Sequence, residues 1–198
     1  MSACFVADGK NTSLLGLYRQ YAGITELGAA PFQWCGNVAP WCDRGLQDLI
    51  FQAISCLVRE CGLVGLNGID FVLGTGSPVL LEINPRPPAS FELFERLLGV
   101  NAFRLHLDAC LGHLPADLPL PPHRQVWGKG IVYAVRDLSV NNAAIWQTSD
   151  IADIPHRGET IPAGAPVCTL LTTGKDIHSC WQQVLGKAGK LASGFEPE

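Results

Sequence analysis

Two mostly apolar runs flank a polar break at Asp8-Gly9-Lys10-Asn11, which predicts a hairpin with strands over 3–7 and 13–19. The next stretch, "PFQWCGNVAPW" (31–41), carries two prolines and a glycine and reads as irregular chain or a short edge strand. From 44 to 61 the spacing changes to threes and fours. Leu46, Leu49, Ile50, Ala53, Ile54, Leu57 and Val58 form one helical stripe, with Gly62 placed to cap its C-terminus. Two short apolar runs follow, "LNGIDFVL" (66–73) and "PVLLEIN" (78–84), joined by "GTGS" as a second hairpin. Ser90 opens a helix whose apolar side is Phe91, Leu93, Phe94, Leu97 and Leu98, and Asn101 caps another running to about Leu111.

The segment "LPADLPLPPH" (114–123) holds four prolines in ten residues and cannot continue a helix, so a domain boundary is expected there, between 1–114 and 123–198. Beyond it, 126–138, 143–148 and 166–172 read as strands and 175–192 as a closing helix. The expected fold class is α+β: an antiparallel sheet backed by helices, plus a small β-rich C-terminal unit with its own helix.

Composition narrows the function classes. With 198 residues, 47% hydrophobic and 16% charged, the chain can bury a full core and is not disordered. A net charge of −4 without a Lys/Arg cluster argues against a nucleic-acid surface. No apolar run approaches the roughly 18 residues of a membrane span, and "MSACFVADGK" lacks the pattern of a signal peptide. Eight cysteines occur without a CxxC pair, four of them (56, 61, 110, 180) on predicted helices, as expected of buried, reduced thiols in a cytoplasmic protein. The five histidines are scattered, with no HxxxH or HExxH, so His106 and His113 read as satisfied or solvated side chains.

Chemistry gathers on "LEINPRPPASFEL" (81–93). Glu82, Asn84 and Arg86 alternate along one face of an extended segment, with Leu81, Ile83 and Pro85 on the other. A hairpin turning near Gly76 sets Asp70 across from Glu82 on that same face. The reverse face is then Ile69, Phe71 and Leu73 against Leu81 and Ile83, all apolar. Facing carboxylates with Cβ atoms about 4.5–5.5 Å apart repel, so the pair calls for a cation or a raised pKa. Two carboxylates and an amide oxygen suit Mg²⁺ or Mn²⁺, which is completed by phosphate oxygens, and Arg86 beyond them suits a phosphate or a substrate carboxylate. The competing reading is a solvated Glu82–Arg86 face with Asn84-Pro85 as a plain turn, and a one-residue slip in register would favour it.

Read together, Asp70, Glu82, Ile83, Asn84, Pro85 and Arg86 resemble the metal-binding strands of the ATP-grasp superfamily, in its biotin-carboxylase-like and carboxylate–amine ligase branch. "FVADGKNTSLLGLYRQ" resembles the hairpin that opens the family's C-terminal lobe, "FQWCGNVAPW" the segment after it, and "GKGIVYAVRDL" a later stretch whose arginine, matching Arg136, contacts substrate. The resemblance implies that Asp70 and Glu82 hold Mg²⁺ on the phosphates of ATP, that Asn84 completes a second metal's shell and that Arg86 binds the acceptor carboxylate or the transferring phosphoryl group. The implied reaction makes an acyl phosphate from a carboxylate or bicarbonate and passes it to an amine.

Read from the residues alone, Arg136 is a surface ion-pair partner. The family's first lobe carries a glycine-rich loop over the phosphates, and neither GxGxxG nor GxxxxGK occurs in this chain. The expectation is therefore the later half of a ligase, completed by an N-terminal lobe or a partner subunit, binding ATP poorly alone and with sheet edges open to homo-oligomer formation. The alternatives are a non-catalytic lobe serving as a binding or interaction subunit, and an unrelated α+β domain.

Overall fold

The computed structural model describes residues 1–116, 118, 125–140 and 150–192. Among them the architecture is α+β, with antiparallel strands and four α-helices in two compact units. One unit is Met1–Arg19 with Ala39–His123, the other Gln20–Val38 with Arg124–Glu198. The segment 20–38 thus groups with the C-terminal part of the chain, an arrangement a single boundary at 114–123 does not contain. The strand expected over 143–148 and part of the proline-rich 114–123 lie outside the described residues.

In the first unit the strand order is β5–β4–β1–β2, with β1 Ser2–Asp8, β2 Thr12–Ala22, β4 Val64–Leu73 and β5 Pro78–Asn84. The opening turn forms because the Asp8 carboxylate accepts from the Lys10 and Asn11 N–H groups, at 2.9 and 2.7 Å. Helix α1, Arg44–Cys61, is capped by Asp43, whose carboxylate accepts from Leu46 N–H at 3.0 Å, and it ends at Gly62 in the left-handed region. Its buried stripe is Leu46, Ile50, Ile54 and Val58, packed with Phe5, Leu17, Ile69 and Phe71. Leu49 and Ala53, expected in that stripe, are exposed, at the margins of the face that packs on the sheet.

Helices α2 (Phe91–Leu98) and α3 (Ala102–Cys110) lie on the opposite face of the sheet. Asn101 caps α3 as predicted, its side chain accepting from Arg104 N–H at 2.8 Å. The Phe94 ring fills the space left by Gly16 on β2 and sits 5.9 Å from the Tyr18 ring. His106 packs over Gly65 and accepts from Leu66 N–H at Nδ1, 3.0 Å away, so it is a satisfied side chain.

The second unit is built on β3 (Trp34–Ala39), β6 (Val126–Tyr133), β10 (Pro166–Gly174) and β8 (Ile151–Ala152), with β7 (Leu138–Ser139) paired to β9 (Thr160–Ile161). Helix α4, Ile177–Ala192, packs on β6 and β10, where Gly128 and Gly130 leave room for Cys180 and Val184. Tyr21 stacks on Trp181 with ring centroids 3.6 Å apart. The stretch 34–39 is an interior strand, not irregular chain or an edge. Its last five residues are buried, and its glycine serves as space for Trp181 rather than as a breaker.

All eight cysteines are free, but Cys56, Cys61 and Cys110 are exposed on their helices, whereas the strand cysteines Cys4, Cys35 and Cys168 are buried with Cys180. No helix among the described residues is long and apolar enough to cross a membrane.

Candidate functional site

The β4–β5 ladder pairs Gly68 with Asn84, Ile69 with Ile83 and Asp70 with Glu82. Asp70 and Glu82 therefore meet directly across two strands, and Asn84 lies two residues along on the same face. A β-bulge follows at once: Phe71 pairs with Leu80, leaving Leu81 as the extra residue. Beyond it the hairpin runs out from the body. Leu73 and Leu81, expected in the apolar core, are 48% and 63% exposed, because the extra residue breaks the alternation there; Ile69 and Phe71 are buried and Ile83 is half-buried.

Two further strands support the acidic pair. Ser2 on β1 lies beside Asp70 and also beside Tyr18 on β2, so one row crosses the sheet as Tyr18, Ser2, Asp70 and Glu82. Ser2 is fully buried and its hydroxyl donates to Asp70 Oδ1 at 2.5 Å. The Tyr18 phenol is held well above its usual range, by burial first and then by Cys4; the charge on Asp70 adds to this, while hydrogen bonds with Ser90 and Ser2 oppose it. Cys4, in the neighbouring row, is pushed up to about 12 by burial. The buried end of the site is therefore a line of neutral hydroxyls, and the charge sits where the sheet meets solvent: Asp70 half-buried, Glu82 exposed.

Asn84 and Arg86 form the other end. The Arg86 guanidinium donates to Asn84 Oδ1 at 3.1 Å, and Arg86 N–H donates to the Asn84 carbonyl at 2.8 Å, turning the chain at Pro85. The chain then folds back so that buried Pro88 covers Gly68; a Cβ there would lie 3.2 Å from Pro88 Cβ. Four of the five residues singled out in the sequence (Asp70, Glu82, Asn84 and Arg86) thus share one hairpin. Arg136 belongs to the second unit: β6 ends at Tyr133, so Arg136 lies in an exposed bend there, not in a strand, and lines a cavity. Ser2, Tyr18 and Ser90 were not legible as site residues, because the pairing of β1 with β4 joins positions more than sixty residues apart.

The donor set fits a hard divalent cation. Mg²⁺ takes one or two carboxylates and leaves its other positions to water or phosphate oxygens, and two facing carboxylates plus an amide oxygen on one exposed face offer that. No cluster of three or more His, Cys, Asp and Glu occurs among the described residues, so a closed all-protein cage of those ligands is not what this face provides.

The family model for the ATP-grasp domain matches residues 1–90, which contain this whole constellation. This part of the chain is similar to ATP-grasp domains. It is 25% identical over 138 residues to an uncharacterised protein of Methanocaldococcus jannaschii, covering 70% of this chain and 33% of that protein. It is also 25% identical over 114 residues to the carbamoyl phosphate synthase large chain of Thermoplasma acidophilum, covering 57% of this chain and 10% of that one. The biotin carboxylase domain of a single-chain bacterial carboxylase shares the fold, with a TM-score of 0.71, 17% identity and coverage of 98% of this chain and 47% of that one. The chain thus spans a third or less of these two curated relatives, and about half of that structural neighbour.

Proposed function

We propose that this chain is the metal- and phosphate-binding part of an ATP-grasp ligase that activates a carboxylate, or bicarbonate, as an acyl phosphate and transfers it to an amine-type nucleophile. The observation that carries the proposal is the register of Asp70 against Glu82 with Asn84 on the same face. In this reading Asp70 and Glu82 hold Mg²⁺ or Mn²⁺ against the ATP phosphates, with Asn84 beside them. The metal, when bound, neutralises phosphate charge that two carboxylates alone would repel.

The chain's own residues do the positioning. Ser2 fixes one oxygen of Asp70, so that carboxylate does not have to be ordered during the reaction. Arg86, tethered to Asn84, offers a planar set of N–H donors to the acceptor carboxylate or the transferring phosphoryl group. The carboxylate oxygen bonds to the γ-phosphorus as ADP leaves. The amine then attacks the acyl carbon, phosphate leaves, and the amine proton passes to solvent. Arg136, in the second unit, is assigned to substrate contact, and the part of the enzyme that covers the nucleotide is assigned to a further lobe or a partner subunit. Eight free thiols are in keeping with a cytoplasmic setting.

The test uses the protein with that lobe or partner present. ATP, Mg²⁺ and the matching carboxylate should release ADP, and hydroxylamine should trap the acyl phosphate as a hydroxamate. Glu82→Gln should lower both rates by on the order of 10²-fold or more. ADP release that ignores every carboxylate offered, or an undiminished rate in Glu82→Gln, would reject the proposal.

A further inference from the structure

Ser90 stands at the N-cap of α2, yet its hydroxyl caps no N–H of that helix. The residue is buried, and its side chain bonds instead to the Tyr18 phenol, which also bonds to Ser2. Tyr18 and Ser2 are cross-strand partners on β2 and β1, and Ser2 is in turn the partner of Asp70 on β4. Tyr18 is 2% and Ser2 0% exposed, so water does not compete for these bonds. Three buried hydroxyls thus lead in sequence to one carboxylate. Packing fixes the middle member: the Tyr18 ring lies 5.9 Å from the Phe94 ring, which fills the space left by Gly16.

Counting protons gives each bond its direction. An ionised carboxylate only accepts, so Ser2 spends its single hydroxyl proton on Asp70 Oδ1, 2.5 Å away. The Ser2 oxygen can then bond Tyr18 only by accepting, so the Tyr18 hydroxyl donates to Ser2. The Tyr18 oxygen is left to accept from Ser90. Every proton in the line points toward Asp70, and hydrogen bonds arranged head to tail away from water strengthen one another. The reverse order would turn the Ser2 proton to Tyr18 and set its oxygen lone pairs against the charge of Asp70. We infer that Tyr18 is a positioning residue of the metal face, acting through Ser2 to hold the Asp70 carboxylate and fastening it to the residue that opens α2. The segment between Asn84 and Ser90 carries Arg86, so the same line of hydroxyls ties the two ends of the site together. This inference rests on Asp70 and Glu82 holding a divalent cation, and it adds a residue that works at one remove from the metal.

The test is Mn²⁺ binding to the purified chain, read from the electron paramagnetic resonance of the free ion. Tyr18→Phe, which keeps the ring and removes only the hydroxyl, should weaken binding about fivefold, the worth of one neutral hydrogen bond. Ser90→Ala should weaken it about twofold, the low end of that range. In a Ser2→Ala background, Tyr18→Phe should change nothing further, because the group that transmits its effect is gone. Glu82→Gln separates this inference from the metal reading. If the parent chain binds no Mn²⁺, or Glu82→Gln leaves the affinity unchanged, the metal face is rejected and the role of Tyr18 with it. If Glu82→Gln abolishes binding while Tyr18→Phe matches the parent chain, only the role of Tyr18 is overturned. The same loss from Tyr18→Phe with and without the Ser2 hydroxyl would also overturn it. Ser90→Ala leaves the ring packing in place and carries the test should Tyr18→Phe not fold; unchanged affinity in that variant would then decide against the inference.

Discussion

Ser2 reaches across from β1 to donate its hydroxyl to Asp70 at 2.5 Å, on the same row that places Asp70 against Glu82. One carboxylate of the acidic pair is therefore held from behind by a buried group, while its neighbour on the edge strand is exposed. Ser2→Ala should weaken Mn²⁺ binding by roughly tenfold, since hydrogen bonds to charged groups are worth about 1.5–3 kcal/mol. Ser2→Thr, which keeps the hydroxyl, should restore most of it. Equal affinities in Ser2→Ala and the parent chain would show that the serine only packs.

Gly28→Ala should destabilise the second unit by about 1–3 kcal/mol, because the site combines a left-handed backbone with no space for a Cβ. Gly158, also at positive φ but with open space around it, should tolerate alanine better. Urea denaturation midpoints of the two variants check the difference.

Thiol labelling of the native protein should divide the cysteines in half. Cys42, Cys56, Cys61 and Cys110 should react quickly with a disulfide reagent. Cys4 and Cys168, both pushed up to about 12 by burial, should react only on unfolding, together with buried Cys35 and Cys180. Mass mapping after a short pulse reads this directly; rapid labelling of Cys4 would contradict the packing around the site.

Acid stability carries a signature of the two turn carboxylates. Asp8 is held below its usual value of 3.8 chiefly by N–H donors from Asn11 and Lys10, and Asp176 by those from Ser179. Both have lower pKa values folded than unfolded. Their contributions are therefore present above about pH 4 and are lost as pH falls through the folded values. The Tm gap between the parent chain and Asp8→Ala should be constant from neutral pH to about pH 5 and close below pH 4. A gap that widens in acid would reverse the assignment.

Much of this was legible in the chain, for reasons specific to each segment. Helix α1 has capping residues and period-3.6 apolar spacing that no other structure accommodates, and Asn101 announces α3. The Asp70–Glu82 register was legible because a short glycine-containing turn constrains a hairpin tightly, although the bulge at Leu81 was not, since nothing local marks an unpaired residue. The strand 34–39 was misread because Gly36 makes room for Trp181, a partner almost 150 residues away. Arg136 looked like a strand residue because the apolar run continues past Tyr133, where the strand itself stops. Ser2 was silent for the same reason as Gly36: its meaning lies in a long-range pairing.

The most direct test of the metal face is paramagnetic broadening of amide signals by Mn²⁺ added in small amounts to the isolated chain. Broadening is expected to centre on residues 2, 70, 82 and 84, to be displaced by excess Mg²⁺ and to be absent in Glu82→Gln. Broadening centred elsewhere, or left intact by Glu82→Gln, would contradict it.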